Sequence, residues 1–180
     1  MRNLFGVATL ALALGACATS APSAAKQQDL EAKSDQTLSE MQHKDPSLTN
    51  VLQSSTAYAV FPNIGAAGAL YVGGAFGKGI LYEGGRPCGY VELKQASAGL
   101  TIGGQTYAEV LALQNQADVA KLKAGNLDLG ASVGATVLTA GAAAAANFTN
   151  GQAVFIMPHG GLMGSLTVTG QTISFKPLAG

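Results

Sequence analysis

The stretch that decides the fold class is Gly79-Ile80-Leu81-Tyr82-Glu83-Gly84-Gly85-Arg86-Pro87-Cys88-Gly89-Tyr90-Val91-Glu92-Leu93-Lys94-Gln95. Two runs of strand-forming residues flank Glu83-Gly84-Gly85-Arg86, whose adjacent glycines supply the positive φ angles of a tight hairpin turn. In the second run Val91 and Leu93 alternate with Tyr90, Glu92 and Lys94, the period of two of a pleated strand. Cys88 falls in that run and is expected to be buried as a small hydrophobe. The same grammar continues on both sides. Ala57-Tyr58-Ala59-Val60-Phe61 runs up to Pro62-Asn63, and Ala69 to Phe76, Ala98 to Gly103 and Tyr107 to Leu113 are further short apolar or alternating runs punctuated by glycine.

Helical signals bracket and interrupt these strands. Residues 26–44 are rich in helix formers with a thin apolar stripe of Leu30, Leu38 and Met41, which predicts a loosely packed helix. Asp45-Pro46 caps a second, with Leu48, Val51 and Leu52 at helical spacing over residues 46–55. Asn115, Asp118, Lys121, Lys123 and Gly125 mark the start, the end and the stop of a short inserted helix.

From Leu129 to Phe175 the chain contains no Asp, Glu, Lys or Arg. A membrane-spanning helix over residues 129–148 is the sharper reading, but its Ala, Gly, Ser and Thr carry little transfer energy. Two strands bent at Gly134 and Gly141 are expected instead, followed by Ala153 to Met157, Leu162 to Thr169 and Gln171 to Phe175. The predicted architecture is α+β and β-dominated: an antiparallel, glycine-rich curled sheet, a partly closed barrel or sandwich, with N-terminal helices and one inserted short helix.

The N-terminus has a different logic. Arg2 precedes an apolar run from Leu4 to Ala16, too short for a stop-transfer helix and suited to a signal peptide over residues 1–16. Leu14-Gly15-Ala16-Cys17 resembles a bacterial lipobox, so Cys17 is expected to be the acylated first residue of the mature chain, with residues 17–25 as a tether and 26–180 as a single domain. Ala18 lacks the acidic character of an inner-membrane retention signal, which implies the outer membrane. Acylation of Cys17 would leave Cys88 as the only thiol, so no intramolecular disulfide is expected.

Ten basic and ten acidic residues balance across the 180, so no global field attracts nucleic acid. Catalytic motifs are sought and not found. Gly73-Gly74-Ala75-Phe76-Gly77-Lys78-Gly79 is a residue short of a phosphate loop and has Gly79 where the Ser or Thr for Mg²⁺ would stand. Ser97 lacks the first glycine of a nucleophile elbow. Neither Cys88 with His159 nor any spacing of His43, His159 and Cys88 prepares a nucleophile or a metal site. Glu92 and Glu109 are read as solvent-facing strand residues. No catalytic residue, metal or cofactor is assigned.

Ala59-Val60-Phe61-Pro62-Asn63, Gly73 to Gly79, Gln95-Ala96-Ser97-Ala98-Gly99-Leu100-Thr101-Ile102-Gly103-Gly104-Gln105 and Gly160-Gly161-Leu162-Met163 are similar, in order and spacing, to the SYLF domain family over roughly residues 40–178. That resemblance implies a non-catalytic domain that binds lipid membranes or, in some branches, actin filaments. Lys78 is the basic position it carries over as a lipid head-group contact. Arg86 and Lys94, in the same hairpin region, join Lys78 as candidate lipid-binding residues. The expected protein is an outer-membrane lipoprotein with a lipid-binding domain. The alternative is an envelope structural or adhesion protein whose partner is a protein, host actin included.

Overall fold

The computed structural model describes residues 24–69, 72–98, 103–127, 129, 133–159 and 170–178. The expected signal peptide over residues 1–16, Cys17 and the expected strand over residues 162–169 lie outside them. Helices α1 (Ala24–Lys44) and α2 (Ser47–Gln53) precede strands β1 (Ala57–Ala69), β2 (Val72–Glu83), β3 (Arg86–Ala98) and β4 (Gly103–Leu113). Helix α3 (Gln116–Lys123) then leads into β5 (Ala135–Val137), β6 (Gln152–Pro158) and β7 (Gln171–Pro177). Among the described residues one seven-stranded sheet runs in the order β5-β6-β4-β1-β2-β3-β7. Every pairing is antiparallel except the short parallel contact of β5 with β6.

The β2–β3 hairpin turns as its glycines require. Glu83 pairs with Arg86, and Gly84 and Gly85 have φ of 56° and 76°, the signature of a two-residue turn with both central residues left-handed.

Two expected breaks in the sheet are continuous strand. Proline cannot donate to the ladder, and the expected stop at Pro62-Asn63 is instead a bulge: β1 shifts register against both neighbours there and runs on to Ala69. The Pro62 carbonyl accepts a bond from His159 Nε2 at 2.8 Å. Glycines 77 and 79 do not interrupt β2 either. A Cβ on Gly79 would collide with the Val60 carbonyl oxygen and stand 2.8 Å from Phe61 Cδ1, so this glycine marks the close approach of β1.

The sheet is covered on both faces. Phe61, Leu81, Leu93, Leu111, Ile156 and Ile173 form the inner core with Val119 and Leu122 of α3. On the outer face Val60, Ile80, Val110 and Phe155 lie beneath Met41 of α1, Leu48 and Leu52 of α2, and Leu138. The curl is directly visible: β7 and β4 are four places apart in the sheet, about 19 Å if it were flat, yet Gln171 Nε2 donates to Glu109 Oε2 at 3.1 Å. The sheet bends round its inner core without closing.

Glu109 is therefore not the solvent-facing residue expected. Both faces of β4 are apolar in sequence, so whichever face it took, it would be covered, and it is fully buried. Cys88, expected to be buried, is half-buried beside the inner core. Desolvation and the nearby Glu83 push its thiol pKa up, against an opposing pull from Lys123.

The thin stripe of α1 is supplemented by a polar latch, Tyr82 Oη donating to Asp35 Oδ1 at 2.6 Å. Asp45 does more than cap α2. Its carboxylate accepts from Ser47 N (3.0 Å), Ser47 Oγ (2.6 Å), Gly141 N (3.1 Å) and Ala143 N (2.7 Å). Those bonds organise residues 140–145 as turns, in place of the second of the two expected strands; of the first, only β5 forms. Among the described residues no helix is long and apolar enough to cross a membrane.

Candidate functional site

Beyond the Pro62 bulge the strands change character. Gly65, Ala66, Ala67 and Gly68 of β1 pair with Gly73 to Phe76 of β2 on one side and Gly103 to Thr106 of β4 on the other. Such small side chains leave the surface low, and the neighbouring helix stands proud of it. The result is a groove of about 730 Å³ between α1 and the sheet, walled by Lys33, Gln36, Thr37 and Glu40 of α1 and by Pro62, Asn63, Phe76, Lys78 and His159. His159 also borders a shallower depression of about 390 Å³ floored by Gly65–Ala67 and Gly104–Thr106.

Phe76 is 45% exposed, and Lys78 Nζ lies 5.9 Å from its ring centroid, within reach of a cation–π attraction. Lys94 pairs in register with Phe76, and Glu92 with Lys78. All four residues therefore lie on the outer face, because strand neighbours two apart share a face. Lys94 Nζ is ion-paired to Glu92 Oε1 at 2.9 Å, an exposed pair of the kind that contributes little to stability. Lys33 is likewise paired with Asp29.

Of the three basic residues singled out from sequence, Lys78 and Lys94 come together on this face. Arg86 does not join them: it flanks the hairpin turn, eight residues along β3 from Lys94, about 26 Å at strand rise. Phe76 and the helical wall were missed. Phe76 sits inside a glycine run that was read for phosphate chemistry, and the wall depends on where α1 docks. Cys17 lies outside the described residues.

Among the described residues nothing at this end assembles for bond-making chemistry. His159 is occupied with the Pro62 carbonyl. Cys88 lies toward the hairpin end, its carbonyl accepting from Leu178 N. Among the described residues no group of three or more His, Cys, Asp or Glu side chains converges as a metal site. The arrangement offers adhesion: cations beside an exposed ring, on a face of small residues.

Residues 94–178 match the family model described as Ysc84, Las17-binding protein actin regulator. No curated protein matches the chain. The matched segment includes the resemblance motifs at Gln95–Gln105 and Gly160–Met163, while those at Ala59–Asn63 and Gly73–Gly79 lie before it. The strand order shows how the two parts relate, since β1 and β2 stand between β3 and β4 at the centre of the sheet, and the matched strands cannot form it without them. Over residues 94–178, a little under half of the chain, the sequence is thus similar to the Ysc84 family, in agreement with the SYLF resemblance carried by its motifs.

Proposed function

We propose that the chain is a bacterial outer-membrane lipoprotein, anchored through acyl chains on Cys17, whose SYLF domain binds lipid without catalysis. The observation that supports this most directly is the exposed Phe76 ring carrying Lys78 above it and Lys94 beside it. A ring beside lysines suits the boundary between head groups and acyl chains, where the apolar body enters and the ammonium groups stay with phosphate. The anchor keeps this face at membrane distance, and two or three acyl chains hold where one holds only marginally.

Flotation of the mature chain carrying Cys17→Ser, with vesicles containing phosphatidylglycerol and with purely zwitterionic vesicles, tests the domain without its anchor. Co-flotation with the anionic vesicles is expected; failure to float with either overturns the lipid reading. Mass spectrometry of the mature N-terminus tests the anchor, and an unmodified Cys17 overturns it. The family description supports a second reading, a protein partner. Co-sedimentation with actin filaments in the absence of lipid would favour it.

A further inference from the structure

The inner face of the sheet holds a group that neither the outer-face site nor the anchor uses. Glu109, with no solvent exposure, sits opposite Phe61 of β1 and Ile156 of β6. Its Oε2 accepts from Gln171 Nε2 of β7 at 3.1 Å. Among the described residues its Oε1 has no partner, and neither does Gln171 Oε1. Among the described residues no cation faces it; β1 and β6 present apolar side chains, β7 presents Gln171 and Ile173, and the titratable neighbour is Tyr107 on its own strand.

A carboxylate in such a place faces the full cost of desolvation with one neutral donor to offset it. A carboxylic acid does not. Its proton supplies the donor that the two unpartnered oxygens lack, so that acid and amide bind reciprocally, N–H to carboxyl oxygen and O–H to amide oxygen. Ionised, the same two oxygens are acceptors with nothing between them.

We propose that a proton held between Glu109 and Gln171 clasps β7 to β4 across the inner face of the curled sheet, and that its loss on alkalinisation loosens the β7 edge. Burial, opposed by the bond from Gln171, pushes the Glu109 carboxyl up to about 7 from an ordinary 4.5. The clasped sheet thus binds the proton more tightly than a form in which β7 has lifted and Glu109 meets water. Raising the pH between those two values favours the lifted form, and above the upper one the effect levels off.

Hydrogen exchange on the full chain, corrected for the intrinsic effect of pH, tests this. Protection of the β7 amides is expected to fall about tenfold or more between roughly pH 5 and 8, while amides of residues 57–61 in the centre of the sheet fall less. In Glu109→Gln, which keeps a neutral amide at the position, that fall is expected to vanish. An equal fall in the variant, or none in the wild type, overturns the proposal. Should the variant not fold, the carboxyl carbon of Glu109 in the wild type can be titrated by NMR. A midpoint near neutrality supports the clasp, and one in the ordinary carboxylate range overturns it.

Discussion

At the hairpin end of the sheet, residues 57–61, 79–83 and 107–113 carry Phe61, Leu81, Leu111 and Leu113 inward and Tyr58, Val60, Ile80 and Val110 outward, all buried under helices or opposing strands. At the other end the continuations of the same strands, residues 65–68, 73–76 and 104–106, are mostly Gly and Ala with Gln, Thr and the exposed Phe76. The backbone ladder is the same at both ends; what differs is the side-chain volume available to be covered. Hydrogen bonding alone thus extends a strand past its core, and an end so extended is left free to meet something else.

That contrast can be broken most sharply from the covered end. Phe61→Ala removes a fully buried ring packed against β2 and is expected to cost about 4 kcal/mol in chemical denaturation. A loss below about 1 kcal/mol would mean that this end is not the core.

Asp45→Ala is expected to cost about 3 kcal/mol, because it strips the partners from a buried backbone N–H, that of Ala143, and a part-buried one, that of Gly141, in the 140–145 turns as well as from Ser47. The acid limb carries the same information. Desolvation raises the Asp45 pKa, but the bonds from the Ser47 side chain and from the Ala143, Gly141 and Ser47 amides outweigh it and hold the carboxyl below its ordinary range. Its contribution to stability is therefore present above the unfolded value and is lost as pH falls through the folded one. Asp45→Asn should flatten that loss in an acid titration of stability.

The glycines offer a paired test. Gly79→Ala places a Cβ against the Val60 carbonyl and Phe61 and is expected to cost about 2 kcal/mol. Gly65→Ala meets nothing within 4 Å and is expected to lie within about 0.5 kcal/mol of wild type. Equal costs at the two positions would erase the difference between the ends. The smallest stability effect belongs to Lys78→Glu, expected within about 0.5 kcal/mol of wild type while clearly weakening flotation with anionic vesicles. Unchanged flotation would remove Lys78 from the lipid contact.

How far each residue could be read in advance follows the distance over which its role is set. The turn at Gly84-Gly85 was legible because two glycines between strand runs admit few other conformations. The inserted helix was legible from its polar and glycine boundaries, although Asn115, read as its cap, makes no capping bond with its side chain and instead donates to the Asn150 carbonyl at 3.1 Å. Lys78 and Lys94 were legible as basic residues, but their shared face depends on the β2–β3 register, and the separation of Arg86 on strand length. The groove was hidden, since it needs the docking of α1 against strands far along the chain.

The amino-acid sequence by itself determined the strand-rich α+β class, the tight hairpin and the approximate positions of the three helices, because period, capping and positive φ act among near neighbours. Only the tertiary structure decided that Pro62 is a bulge and not an end, that Asp45 organises a turn nearly a hundred residues away, and that Glu109 is buried against Gln171. Each of these depends on which remote segment arrives to cover a polar group or accept its bond, and a burial that two distant segments make together has no local signature in either.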